Sequence, residues 1–292
     1  MSRDCLEPFR IQFESELRRS IELMGEKSAL RDACEYALTN GGKRLRPMIV
    51  LMIADALNLG LDAMAASLSV EYFHTASLIA DDLPCMDNDD ERRSRPSLHK
   101  VFDESVALLA SYTLISAGYE AIYRNGRELK KHSQFALQSD AVTVLGLEAV
   151  TRCAGILGAT NGQFLDLYPP DQTLETIQKI IYQKTVTLFQ ISFSLGWLFG
   201  GGDPSRLPQV ERCAAHMGMA FQIADDLQDD LQDTEQESKI NIATVCGPAK
   251  ALELFDEEMA LLETDLQELG LWTAPFQQAY CLLKGLIPMR AV

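Results

Sequence analysis

The sequence predicts an all-α protein, and three observations carry that prediction. Strand-type alternation is scarce along the 292 residues, and clusters of β-branched residues are short. Segments 104–123 and 185–199 are apolar around most of a helical circumference, which suits helices inside a bundle. Turn punctuation falls at Asn40-Gly41-Gly42, Pro96, Asn125-Gly126, Pro169-Pro170, Gly200 to Pro204, Gly247-Pro248 and Pro275, with no interval long enough for a linker. A single domain spanning residues 1–292, built from roughly ten or more helices, follows.

Taken in order, Pro47 fits the first turn of a helix over Met48 to Leu57. The apolar run Tyr72 to Ala80 ends in acidic residues. Pro84, whose ring would clash with the carbonyl of Ala80, ends or bends that helix. A helix beginning near Thr173 places Ile177, Ile180, Ile181, Lys184 and Leu188 within about 80° of one another. The uncharged stretch Thr185 to Gly202 is long enough to span a membrane. Its Gln190, Ser192, Ser194 and Gly196 and its three closing glycines favour a buried core helix instead. Met217 to Ala224 leads into a second acidic cluster. The pentapeptide Ile-Ala-Asp-Asp-Leu stands at 79–83 and again at 223–227, without repeating flanks, so two similar acidic sites are expected rather than a repeat fold.

Composition narrows the function. With 42 acidic against 26 basic residues the net charge is −16, and a nucleic-acid partner is excluded. A hydrophobic fraction of 47% excludes a disordered chain. The seven cysteines never stand in C-x-x-C spacing, so a zinc site or a disulfide framework is not expected. Met1-Ser2-Arg3-Asp4 opens on charge with no apolar signal core. A cytoplasmic protein with reduced thiols is expected.

The first acidic cluster holds Asp81, Asp82, Asp87, Asp89, Asp90 and Glu91; the second holds Asp225, Asp226, Asp229, Asp230 and Asp233. Asp225 and Asp229, four apart, share a helical face. Asp87 would lie about 240° round an unbroken helix from Asp81, but a bend at Pro84 can swing it back. Solvated helix ends are the ordinary explanation of acidic runs. Two copies on apolar helices point instead to hard divalent cations, Mg²⁺ above all, because neither His nor Cys recurs at ligand spacing. Acids at a helix C-terminus also oppose the macrodipole and need a compensating cation.

Basic islands lie close by. In Gly41-Gly42-Lys43-Arg44-Leu45-Arg46-Pro47, Lys43 and Arg46 flank a helix N-terminus, where free N–H groups favour phosphate, although a solvated basic turn is the ordinary explanation of such a run. This is not a P-loop, since the upstream Gly and the Ser/Thr after Lys43 are missing. Arg92, Arg93 and Arg95 follow the first acidic cluster, an alternation that suits a metal-bridged diphosphate and, taken alone, equally suits a charge-neutralising surface loop. Lys184, central in its apolar stripe, either meets an anion or snorkels to the surface. His74, Ser77 and Asp81 share a helical face. A lone His so placed is more often a satisfied core residue than a ligand.

These residues resemble the trans-isoprenyl diphosphate synthases of farnesyl and geranylgeranyl type. The resemblance rests on Gly-Gly-Lys-Arg-Leu-Arg-Pro at 41–47, Asp-Asp-Leu-Pro-Cys-Met-Asp at 81–87, Asn-Gly-Gln-Phe-Leu-Asp-Leu at 161–167, Lys184-Thr185 and Phe-Gln-Ile-Ala-Asp-Asp-Leu-Gln-Asp at 221–229, in the family's order. It implies an all-α bundle around a deep central cavity, a homodimer, and condensation of isopentenyl diphosphate with an allylic prenyl diphosphate. On that resemblance Asp81, Asp82, Asp87, Asp225, Asp226 and Asp229 hold Mg²⁺, as a three-ion cluster with substrate bound. Arg92, Lys184, Thr185, Gln222 and Lys239 clamp the allylic diphosphate, while Lys43, Arg46, His74 and Arg93 bind isopentenyl diphosphate. The sequence departs from the family pattern at Ala80, Ser94-Arg95, Ser111-Tyr112 and Asn161, and no further lysine is evident just after Lys239.

Product length follows from the helix below Asp81. Ser77 lies one turn down and Phe73 two, and one turn, about 5.4 Å, is near the length of an isoprene unit. The family also uses the position of Ala76, although the helical wheel sets it about 140° away. Small residues at 76 and 77 predict products beyond C15, geranylgeranyl diphosphate first, with Phe73 or Tyr112 as floor. A farnesyl diphosphate synthase is the alternative, and so is a non-catalytic subunit of a heteromeric synthase, although such subunits typically lose one Asp motif. A terpene cyclase would carry an Asn/Ser/Glu pattern in place of the second motif and has no use for Lys43 and Arg46.

Overall fold

The computed structural model describes residues 4–232 and 241–287. Within them the chain forms fourteen α-helical segments and a single two-stranded ladder of two residues per strand, β1 (Glu91–Arg92) with β2 (Arg95–Pro96). The all-α expectation holds, and the ladder is its one exception among the described residues. The chain separates into two compact units.

One unit spans Glu7–Glu148 with Leu195–Gly202. It contains α1 (Glu7–Glu22), α2 (Ala29–Leu38), α3 (Leu45–Leu57), α4 (Met64–Asp81), the short α5 (Leu98–Val101), α6 (Glu104–Leu129) and the first part of α7 (Ser139–Ala154). Its principal packing is α4 on α6, and buried Phe13, Leu17, Leu38, Leu68, Tyr72, Ala107 and Leu114 lie in its core. Asn125-Gly126 is not a turn, contrary to the sequence expectation, and α6 runs through it. The Asn125 side chain is used in packing: it accepts from Ala66 N at 2.8 Å and donates to Asp62 O at 2.9 Å. Gly126 leaves room for Thr143, whose Oγ1 would sit 2.0 Å from an added Cβ. Tertiary contact here outweighs local turn propensity.

The other unit spans Met1–Leu6, Ala149–Ser194 and Asp203–Val292. It contains α8 (Ala159–Leu167), α9 (Leu174–Ile181), most of α10 (Thr187–Phe199), α11 (Leu207–Gln232), α12 (Ile242–Cys246), α13 (Pro248–Glu268) and α14 (Ala274–Lys284). Here α11 packs chiefly on α13, fastened by Arg212, which donates to both carboxylate oxygens of Asp265 at 3.0 and 2.7 Å. The apolar residues of α10 from Leu188 to Phe199 are buried, as expected for a core helix. By length and composition, Glu104–Leu129 and Ser139–Leu167 are apolar enough to cross a membrane, although each is partly buried in the protein. All seven cysteines are unpaired thiols.

Candidate active site

The first acidic motif closes α4. The helix ends at Asp81, and Asp82 serves as its C-cap with its N–H on Leu78 O. Pro84 cannot continue the helix, and the chain turns back so that Asp87 N donates to Asp81 O at 2.9 Å. The expected swing of Asp87 towards Asp81 is therefore present in the backbone. Asp81 and Asp87 are half-buried, whereas Asp82 is buried and engaged by the Arg92 guanidinium, whose Nε lies 2.9 Å from Asp82 Oδ1. Arg92 also reaches Asp89 at 3.1 Å.

Arg92 is held in place by the small hairpin. Its tip, Arg93 and Ser94, has φ of 55° and 60°, the left-handed values a two-residue hairpin turn requires at both positions. Tyr36 secures the outgoing strand, donating its hydroxyl to Pro96 O at 2.8 Å with the Arg95 guanidinium over its ring at 4.2 Å. Asn40 donates to Arg92 O at 3.0 Å.

The basic island at 41–47 meets this hairpin. Arg93 donates to Gly41 O, and a side chain at Gly42 would place its Cβ 2.6 Å from the Arg93 guanidinium. Lys43 is exposed and Arg46, the second residue of α3, is half-buried. His74, on α4, completes the group. Burial, and after it the positive charges of Arg46, Arg93, Arg44 and Arg92, hold His74 well below the usual imidazole pKa, so it stands neutral. Its Nδ1 is buried without a hydrogen-bond partner. A neutral, unsatisfied imidazole among arginines is the electrostatic setting of an anion pocket.

The second motif lies in the other unit. Between α9 and α10 the backbone widens into a π-type turn over Tyr182–Val186, a feature frequent at functional sites. Gly162 of α8 lets this turn approach closely, since an added Cβ would fall 2.3 Å from Lys184 N. Asn161 donates to Gln183 at 2.8 Å. The extra residue of the turn shifts Lys184 off the apolar stripe: the side chain is 30% exposed and its Nζ pairs with Asp166 at 2.5 Å. Lys184 combines the two expectations, since it reaches towards the surface and meets an anion there in Asp166. Thr185 donates to Gln222 at 2.9 Å, Gln222 donates to Asp226 at 2.8 Å, and Asp226 accepts from Ile242 N at 3.0 Å. Asp225 is half-buried on α11, and α11 runs helically through Asp229. The side chain of Asp229, and Lys239 altogether, lie outside the described residues.

In each Asp-Asp pair the second carboxylate, Asp82 or Asp226, is turned in and hydrogen-bonded, while the first is half-buried. Among the described residues no three His, Cys, Asp or Glu side chains converge on a metal position. The oxygen-only donor set still fits Mg²⁺, a hard cation that needs only one or two protein carboxylates and would be held by Asp81 and Asp87 in one unit or Asp225 in the other. Of the chain-length residues, Phe73 is buried, edge-on to Tyr119 at 5.1 Å and against Gly118. Ser77 donates to His74 O at 2.8 Å, and the Ala76 carbonyl accepts from Ser111 at 3.0 Å, on the α6 side. Tyr112 is 56% exposed on α6, so of the two floor candidates only Phe73 lies in the interior of this chain.

Three participants had no sequence signal to distinguish them. Arg44 is buried while its neighbour Lys43 is exposed, Glu71 sits inside α4, and Asp166 pairs with Lys184. Position inside a motif, 41–47 for Arg44 and 161–167 for Asp166, could have drawn attention to those two, whereas nothing marked Glu71.

Each unit sets an acidic motif on a helix with basic groups beside it, a pattern suited to a helical protein that handles diphosphates, and comparisons with known proteins supply the family. The chain superposes on a geranyltransferase from Legionella pneumophila with TM-score 0.84 and 26% identity, covering 96% of this chain and 95% of that one. A farnesyl/geranylfarnesyl (FPP/GFPP) synthase from Zymomonas mobilis matches with TM-score 0.80 and 27% identity, covering 97% and 99%. In sequence, a farnesyl diphosphate synthase of Geobacillus stearothermophilus is 37% identical over 220 residues, 73% of this chain and 70% of its own length. A chloroplastic geranylgeranyl pyrophosphate synthase of Capsicum annuum is 34% identical over 74% of this chain, and the match spans 58% of that relative's length. The polyprenyl synthetase family model matches residues 27–243. The chain belongs to the polyprenyl synthetase family, the trans-prenyltransferases of isoprenoid biosynthesis.

Proposed function

We propose that this protein is a Mg²⁺-dependent synthase that joins isopentenyl diphosphate head-to-tail to an allylic diphosphate of C5, C10 or C15, with geranylgeranyl diphosphate as its product. The observation that supports this best is neutral His74 among four arginines, two helical turns from Asp81. In this proposal Lys43, Arg46, His74 and Arg93 take isopentenyl diphosphate. Arg92, Lys184, Thr185, Gln222 and Lys239 take the allylic diphosphate, and the two Asp motifs serve the metal. Residues 1–292 act as one synthase domain.

Held by the two Asp motifs, Mg²⁺ would supply Lewis-acid stabilisation of the leaving group. The chain's own cations do the rest. Arg92 and Lys184 donate N–H bonds to the departing diphosphate as the allylic C–O bond ionises. Arg46 and Arg93 fix the isopentenyl diphosphate so that its double bond meets the allylic cation. His74, uncharged, donates a hydrogen bond without adding a charge. The new C–C bond forms, and the proton that restores the double bond leaves to the released diphosphate or a nearby base. No protein nucleophile is needed.

Small Ala76 and Ser77 and buried Phe73 support a C20 product. The stripe Leu108, Tyr112, Ile115 and Tyr123, exposed along one face of α6, supports a homodimer through that helix. Seven free thiols support a cytoplasmic protein. The test is incubation with labelled isopentenyl diphosphate, Mg²⁺ and each primer in turn. C20 product from farnesyl diphosphate is expected. Accumulation of C15 alone overturns the chain length, and no condensation with any primer overturns the function.

A further inference from the structure

Arg44 stands between Lys43 and Arg46, yet only 2% of its side chain reaches solvent. Its Nε donates to Glu14 at 2.7 Å, its Nη2 donates to Leu38 O at 2.6 Å, and its Nη1 donates to the equally buried Glu71. Glu14 belongs to α1, Leu38 ends α2 and Glu71 lies inside α4. One guanidinium thus fastens three helices at the point where the basic island turns into α3. Arg44 is also the N-cap of α3 with φ of 51°, a left-handed conformation that a non-glycine residue keeps only where its surroundings fix it.

Stability alone does not explain the pair. A buried ion pair gains little over well-packed apolar groups, because desolvation offsets most of its attraction. What the pair does achieve is placement of charge. Glu71 precedes His74 by three residues and so shares its helical face. Its carboxylate field also reaches Arg93, opposing the effect of burial on that guanidinium.

We propose that Arg44 and Glu71 are positioning residues of the isopentenyl diphosphate site. Arg44 anchors the backbone that presents Lys43 and Arg46, and Glu71 is the resident counter-charge that keeps the arginines around His74 gathered before substrate arrives. The inference rests on the isopentenyl diphosphate reading of that cluster.

The test uses the full chain with Glu71→Gln, Arg44→Lys and Glu14→Gln, the last removing the half-exposed arm. Each substrate is varied at saturating levels of the other, and isopentenyl diphosphate binding and melting temperature are measured alongside. Loss of one charge-assisted contact predicts that Glu71→Gln raises the KM for isopentenyl diphosphate about tenfold, leaving the allylic KM within about twofold. Arg44→Lys is expected to follow in the same direction, and Glu14→Gln by about threefold. If Glu71→Gln does not fold, the other two variants decide. An active wild type whose variants show only a lower melting temperature, or equal losses for both substrates, overturns this inference alone. A wild type that neither binds nor condenses isopentenyl diphosphate overturns the functional reading and the inference with it.

Discussion

The backbone amide of Asp87 donates to the carbonyl oxygen of Asp81 at 2.9 Å. Six residues apart in sequence, the two thereby close a loop at the C-terminus of α4 and leave two half-buried carboxylates at its ends. In a continuous helix they would point about 120° apart. Asp82, between them, is drawn inward by Arg92, which ties the loop to the hairpin that follows.

That hairpin carries strain. Ser94 holds φ of 60° without the freedom of glycine. Ser94→Gly relieves the left-handed conformation and is expected to stabilise the protein by up to about 1 kcal/mol, offset partly by the greater freedom of the unfolded chain. A denaturant midpoint that rises, with activity kept, is the expected result; one that falls shows that the tip is not strained.

At the π-type turn the relation is one of contact. Gly162→Ala would set a Cβ 2.3 Å from the Lys184 nitrogen, a backbone atom that cannot step aside. A loss of about 2 kcal/mol or more is expected. An equilibrium unfolding experiment checks it, and unchanged stability would mean that α8 and the turn separate freely.

His74 gives a pH prediction. Its folded pKa lies well below 6.5, so at acid pH the unfolded chain takes up a proton there that the folded protein refuses. The corresponding stability is complete above pH 6.5 and declines as the pH falls below that value towards the folded pKa. His74→Gln is therefore expected to flatten the acid limb of the melting-temperature profile between neutral pH and the folded pKa. Identical acid limbs for the two proteins would contradict the neutral imidazole.

The apolar stripe on α6 predicts association. Ile115→Asp puts a charge in the middle of that face and is expected to shift the protein to monomers in sedimentation velocity. A wild type that sediments as a monomer, or an unaffected variant, removes the homodimer.

Much of this was legible because the signals are local. Pro84 announced the end of α4 and the return of Asp87, and apolar helices at 104–123 and 185–199 announced a bundle. What stayed hidden depends on partners distant in sequence or on single inserted residues. Asn125-Gly126 has the composition of a turn, but its packing against Ala66, Asp62 and Thr143 keeps it helical. A π-type turn adds one residue to a helical period, which a wheel drawn through Thr173 to Leu188 cannot show. Arg44 is set apart from Lys43 and Arg46 chiefly by Glu14 and Glu71, about thirty residues away on either side.

If the two aspartate motifs work on a magnesium diphosphate, condensation must follow a magnesium titration. Isopentenyl and farnesyl diphosphates are supplied to wild type, Asp81→Ala and Asp225→Ala, and C20 product is followed as Mg²⁺ is raised from a chelated baseline. Mg²⁺-dependent product is expected in the wild type, with a rate lower by about a hundredfold or more in each variant. Condensation that is indifferent to the chelator, or variants that match the wild type, would contradict it.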